Sequence, residues 1–94
     1  MNKILNNLGL AMRANALVSG QEIVEEYLRG KKVFYIFLAS DASANTKKAI
    51  YNKAKYYNVE VCDSFTSAEL NQAIGKTGRM VLGVTVMNFV KILK

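Results

Sequence analysis

Val33-Phe34-Tyr35-Ile36-Phe37-Leu38-Ala39 is an unbroken apolar run, rich in β-branched and aromatic residues. A strand with one face in water alternates apolar and polar side chains. A continuous run reads instead as a strand covered on both faces, as in a parallel or mixed sheet flanked by helices. The run therefore predicts a central strand over residues 33–39.

The segments on either side fit that frame. Upstream, Ile23, Val24, Tyr27 and Leu28 recur at helical spacing, with Gly30 expected at the C′ position. Ala16-Leu17-Val18 reads as a short strand. Residues 3–14 read as a helix with Ile4, Leu5, Leu8 and Met12 on one face. Downstream, Ser40-Asp41-Ala42-Ser43-Ala44-Asn45 is a polar turn in which Ser43 or Asn45 can cap a helix over residues 46–57. Residues 59–62 form a third strand. Thr66 and Glu69 make a capping box, and Phe65 and Leu70 a hydrophobic staple, for a helix ending at Gly75. Residues 80–84 are the fourth strand, and Phe89, Val90 and Leu93 belong to a last helix. The order α-β-α-β-α-β-α-β-α predicts an α/β fold, a three-layer α/β/α sandwich with a central mixed four-stranded sheet.

Length and composition bound the function. Ninety-four residues, with 51% apolar and 21% charged side chains and no proline, are expected to make one domain over residues 1–94. Thirteen Lys and Arg against seven Asp and Glu give a net charge of +6. A polyanion partner suits that charge, although a basic surface also serves solubility. Asn6, Asn7 and Arg13 interrupt any signal-peptide core, and no apolar run approaches the roughly 20 residues of a membrane span. The single Cys62 fits a reducing cytoplasm, and cytoplasmic localisation with no membrane contact is expected. The chain has no His, no paired acids, no Cys/His metal spacing, no GxGxxG and no P-loop. It is therefore expected to be no enzyme and to hold no metal or cofactor.

Val18-Ser19-Gly20-Gln21-Glu22-Ile23-Val24 is the stretch most suggestive of function. A strand ends at a glycine and a helix opens on Gln21 and Glu22. The first amides of a helix attract anions. The Gln21 amide can donate and accept, and the Glu22 carboxylate can accept from the donor edge of a guanine. Glu22 has a second reading, as capping-box partner of Ser19, with Val18 and Ile23 as a staple. Lys76-Thr77-Gly78-Arg79, after Gly75, is a basic loop suited to phosphate contacts or simply to solvent. The stripe of Lys47, Lys48, Tyr51 and Lys55 reads as a solvated helix face.

Four stretches together resemble the YlxQ-like bacterial branch of the kink-turn RNA-binding ribosomal protein superfamily, whose archetype is the archaeal large-subunit L7Ae. They are Leu8-Gly9-Leu10-Ala11-Met12-Arg13-Ala14 with Leu17-Val18-Ser19-Gly20; the turn from Ser40 through Lys48; Glu69-Leu70 with Ala73-Ile74-Gly75-Lys76; and Arg79 through Thr85. The resemblance implies the same sandwich and a structured RNA partner, kink-turn or ribosomal, with ribosome-associated proteins as further partners. It places the start of the second helix in the RNA groove at tandem sheared G·A pairs, and the loop before the last strand over a flipped-out nucleotide. Gly20, Gln21 and Glu22 fall on the groove motif. Gly75, Lys76, Thr77, Gly78 and Arg79 fall on the nucleotide loop. The chain departs from the family pattern at Gln21 (usually Asn), Glu25 (often Lys), Asn71 (usually Gly) and Val86 (commonly Asp in this branch), and its nucleotide loop is polar where the archaeal proteins are apolar. An alternative implied by Glu25 is a protein-interaction module on the same fold that has lost kink-turn affinity.

Overall fold

A computed structural model describes residues 2–94. The elements in chain order are α1 (Lys3–Arg13), β1 (Leu17–Ser19), α2 (Gln21–Arg29), β2 (Tyr35–Leu38), α3 (Ala44–Tyr57), β3 (Val61–Cys62), α4 (Ser67–Ile74), β4 (Val81–Val84) and α5 (Met87–Leu93).

The four strands form one mixed sheet in the order β1-β4-β2-β3. β4 runs antiparallel to both β1 and β2, with Ser19 opposite Leu82 and Leu38 opposite Val81. β3 is parallel to β2, with Ile36 opposite Val61. β2 and β4 are the interior strands, and every residue of both is buried. The apolar run is thus central, as its pattern requires. The strand proper, Tyr35–Leu38, is shorter than the run and coincides with the four residues in register with β4, whereas β3 pairs with only Ile36 and Phe37. The ladder to β4 continues past the strand ends through Phe34 N–H to Val84 O and Ala39 N–H to Met80 O, both 2.8 Å.

Helices cover both faces. α1 packs on α4 and α5, and α2 on α3, giving three layers. A Cβ on Gly9 would lie 3.1 Å from the Ala73 carbonyl oxygen, so α1 and α4 meet almost backbone to backbone there. Phe37 anchors the core, edge-on to Tyr35 at 5.3 Å between ring centroids and tilted against Phe65 at 6.3 Å. No helix among the described residues is long and apolar enough to cross a membrane.

The helix ends follow the sequence at some points and depart from it at others. Ser43 caps α3, its Oγ accepting from Thr46 N–H at 3.2 Å. The Thr66/Glu69 capping box closes on α4. The Ser19/Glu22 box does not form. Ser19 stays in β1, and Gly20 N–H donates to Val81 O at 2.8 Å, so sheet pairing holds the chain extended one residue further. The N-cap is Gly20, at φ 107°, a value that L side chains rarely adopt. At the other end of α2, Gly30 keeps φ −82° and the left-handed C′ residue is Lys31, at φ 58°. Lys31 N–H donates to Leu28 O and Lys32 N–H to Tyr27 O, both at 2.9 Å, which closes a helix-ending turn of the Schellman kind.

Candidate nucleic-acid interface

Because β1 and β2 both oppose β4 and β3 follows β2, strands β1, β2 and β3 all point the same way. Their carboxyl ends share one edge of the sheet. The helices that follow them, α2, α3 and α4, all open at that edge. The loop from Gly75 to Arg79 returns the chain to the start of β4 at the same edge. Both sequence-predicted clusters therefore lie together, joined by the bond from Gly20 to Val81, two residues beyond Arg79.

The three helix openings differ in what fills them. Ser43 occupies that of α3. At α4, the capping box is supplemented by Asp41, whose carboxylate accepts from Ser67 N–H and from the Ser67 hydroxyl, each at 2.7 Å. These two bonds hold the Asp41 carboxyl below the usual carboxylate range. At α2, among the described residues, no side chain caps the helix. Glu22 is exposed and, among these residues, makes no hydrogen bond or ion pair, so it is a free acceptor and not a cap. The open amides of α2 are the anion-favouring feature of this edge.

Gln21 sits in a relay of side-chain hydrogen bonds that spans α2 and α3. The Ser43 hydroxyl donates to Thr46 Oγ1 at 3.1 Å, and the Thr46 hydroxyl donates to Gln21 Oε1 at 3.1 Å. Gln21 Nε2 then donates to Glu25 Oε2 at 2.9 Å, and Lys53 Nζ lies 4.0 Å from Glu25 Oε1. The Gln21 amide is thus oriented from both sides and keeps one N–H and one lone pair for a ligand. Glu25 is mostly shielded, at 18% side-chain exposure, and is engaged inside the protein.

The family profile of ribosomal protein L7Ae/L30e/S12e/Gadd45 matches residues 2–93. The chain belongs to this family. It is 43% identical over 89 residues to the "RNA-binding protein YlxQ" of Enterococcus faecium, covering 95% of this chain and 85% of that protein. It is 39% identical over 82 residues to the protein of the same name from Bacillus subtilis (strain 168), covering 87% and 82%. A solved structure of a protein with unknown function from Bacillus halodurans C superposes with a TM-score of 0.95 at 36% identity, over 99% of this chain and 94% of that one. The Giardia lamblia 15.5kD RNA binding protein shares the fold, with a TM-score of 0.84 at 13% identity, over 97% and 78%.

Within this L7Ae-family frame, the loop before β4 has a support that sequence reasoning passed over. Asn71 is buried in α4, and its side chain imitates a strand partner for Arg79. Its Oδ1 accepts from Arg79 N–H at 3.0 Å, and its Nδ2 donates to Arg79 O at 2.8 Å and to Ser67 O at 2.7 Å. Gly75 takes φ 71° as the C-cap of α4, and Lys76 N–H donates to Asn71 O at 3.0 Å. Lys76, Thr77 and Gly78 are exposed on the loop so held. Arg79 is half-buried, and its Nε is shielded from water with no acceptor among the described residues. A buried charged donor without a partner is costly. The available signal for Asn71 was an amide beside Leu70 and Ile74 on an apolar helix face. Thr46 carried no signal, being 25 positions from Gln21.

Proposed function

We propose that this chain is a non-catalytic RNA-binding protein, one domain over residues 1–94, that binds a kink-turn or ribosomal RNA and needs no cofactor. The α2 opening enters the RNA groove. Gln21 and Glu22 read the sheared G·A edges, Gly20 allows close approach, and the Gly75–Arg79 loop covers the nucleotide beside them. The observation that carries the reading is that α2 alone, of the three helices opening at this edge, lacks a side-chain cap among the described residues, while its first amide side chain is braced from both sides. Support also comes from the name that the two curated relatives share, and from a net charge of +6. The departure at Glu25 does not favour a protein-interaction module, since its carboxylate is occupied by Gln21 and Lys53. One free cysteine suits work in the cytoplasm.

A gel-shift titration with a kink-turn RNA and with a G·A-disrupted copy, at several salt concentrations, tests this. The expected result is tighter binding to the intact kink-turn, with affinity falling steeply with salt. Equal binding to both RNAs removes the kink-turn reading, and no binding to any structured RNA removes the function.

A further inference from the structure

At the opposite end of the sheet, the last turns of α2 and α3 enclose an open groove of about 780 Å³ with no acidic residue in its lining. Arg29 and Lys31 come to it from the end of α2, Tyr56 and Tyr57 from the end of α3, Phe34 from just before β2 and Met87 from the start of α5. A smaller recess of about 270 Å³ adjoins it, shares Arg29, Tyr56 and Tyr57, and adds Lys53. The aromatic floor is unusual. Tyr56 is 81% exposed, and it is held in a T-shaped contact with Tyr57 at 4.8 Å between centroids. Phe34 and Met87 are exposed beside it, at 38% and 56%.

A cation in the last turn of a helix complements the dipole, and that accounts for Arg29. It does not account for Lys31, which stands in a left-handed position where glycine is the usual residue. Nor does it explain why the exposed rings gather among cations with no acid between them. A positive groove floored by open aromatic rings is the general solution for unpaired nucleic acid, because every base has a π-face to stack.

We propose that this groove is a second nucleic-acid contact, which takes unpaired nucleotides by stacking a base on Tyr56 and pairing adjacent phosphates with Arg29 and Lys31. Arg29 lies eight positions beyond Gln21 on α2, about 12 Å along the axis. A single strand leaving the α2 opening covers that span in about four stacked nucleotides. The groove binds single strands whether or not the α2 opening reads a kink-turn.

The test is titration of the isotope-labelled full chain with single-stranded hexa-adenylate, followed by nuclear magnetic resonance. Amide shifts are expected around Arg29, Lys31, Phe34, Tyr56 and Tyr57. Tyr56→Ala should weaken hexa-adenylate about ten-fold, and Tyr56→Trp should retain it. Tyr56 is largely exposed, so neither variant should disturb the fold. A kink-turn duplex with no single-stranded tail should bind wild type and Tyr56→Ala alike, which separates this groove from the α2 opening. Shifts confined to residues 20–22 and 76–79, unchanged hexa-adenylate affinity in Tyr56→Ala, or tighter binding of a hexa-glutamate peptide than of hexa-adenylate would each overturn the proposal.

Discussion

The Asn71 side chain pairs with both backbone groups of Arg79, accepting from its N–H and donating to its carbonyl. One buried amide therefore fixes the end of the loop that carries Arg79. Asn71→Ala should lower stability by about 2 kcal/mol, since it strands polar groups that the amide now satisfies. Urea unfolding checks the magnitude. Hydrogen exchange should show faster exchange at the Arg79 amide, and RNA affinity should fall with it. An unchanged exchange rate would mean that the loop holds its shape without the clamp.

Ser19/Glu22 and Thr66/Glu69 are the same motif on paper. The second forms because Thr66 lies in a loop with free dihedrals. The first fails because pairing with Leu82 keeps Ser19 in the sheet, a nonlocal constraint that no local motif encodes. Residues 33–39 announced an interior strand because two-sided burial writes itself as unbroken apolarity. The brace on Gln21 was half legible. Glu25 lies four residues on, the neighbour spacing of a helix, whereas Thr46 reaches it only through the packing of α3 on α2.

Gln21→Ala and Arg79→Ala should weaken RNA binding differently. Loss of the Gln21 amide removes a donor and acceptor for base edges, so discrimination between intact and G·A-disrupted RNAs should shrink while the salt slope stays. Loss of Arg79 removes a phosphate partner, so all RNAs should weaken together and the slope should flatten by about one unit. Binding at several salt concentrations, with circular dichroism as a folding control, separates the two patterns. Two folded variants of wild-type affinity would remove both roles.

Glu25 is an orienting group for Gln21. Glu25→Gln should keep the hydrogen bond to Gln21, drop a negative charge and leave discrimination intact with slightly higher affinity at low salt. Glu25→Lys places a cation beside Lys53, 4.0 Å from the present carboxylate, and cuts the bond that holds Gln21. It should steepen the salt slope yet discriminate less between the two RNAs. Full discrimination in Glu25→Lys would show that Gln21 needs no brace.

Tyr51 should ionise later than an ordinary tyrosine. Its hydroxyl donates to the Asp63 carboxylate, and that bond comes first among the causes that push Tyr51 up to about 12 from 10.0. The folded value lies above the unfolded one. The pairing therefore contributes fully below about pH 10 and is lost as pH rises toward about 12. Tyr35 is also raised, chiefly by burial. An absorbance titration should show late tyrosines in the wild type, with one returning to the ordinary range in Asp63→Asn. No change in that variant would remove the link between the two residues.

Lys31→Gly should separate stability from binding. Lysine at φ 58° bears a steric cost of roughly 1–2 kcal/mol, partly offset because glycine gives the unfolded chain more freedom. The variant should gain about 1 kcal/mol, or about 4–8 °C in Tm for a domain of this size. It should also lose hexa-adenylate affinity, since one cation leaves the groove beside Tyr56. Lys31→Asn is the companion change, because asparagine tolerates the left-handed region and likewise removes the charge. If both variants are more stable and bind less tightly, the lysine is held in a costly conformation for the groove. If both lose stability, its aliphatic stem supports the end of α2 and the strain argument fails.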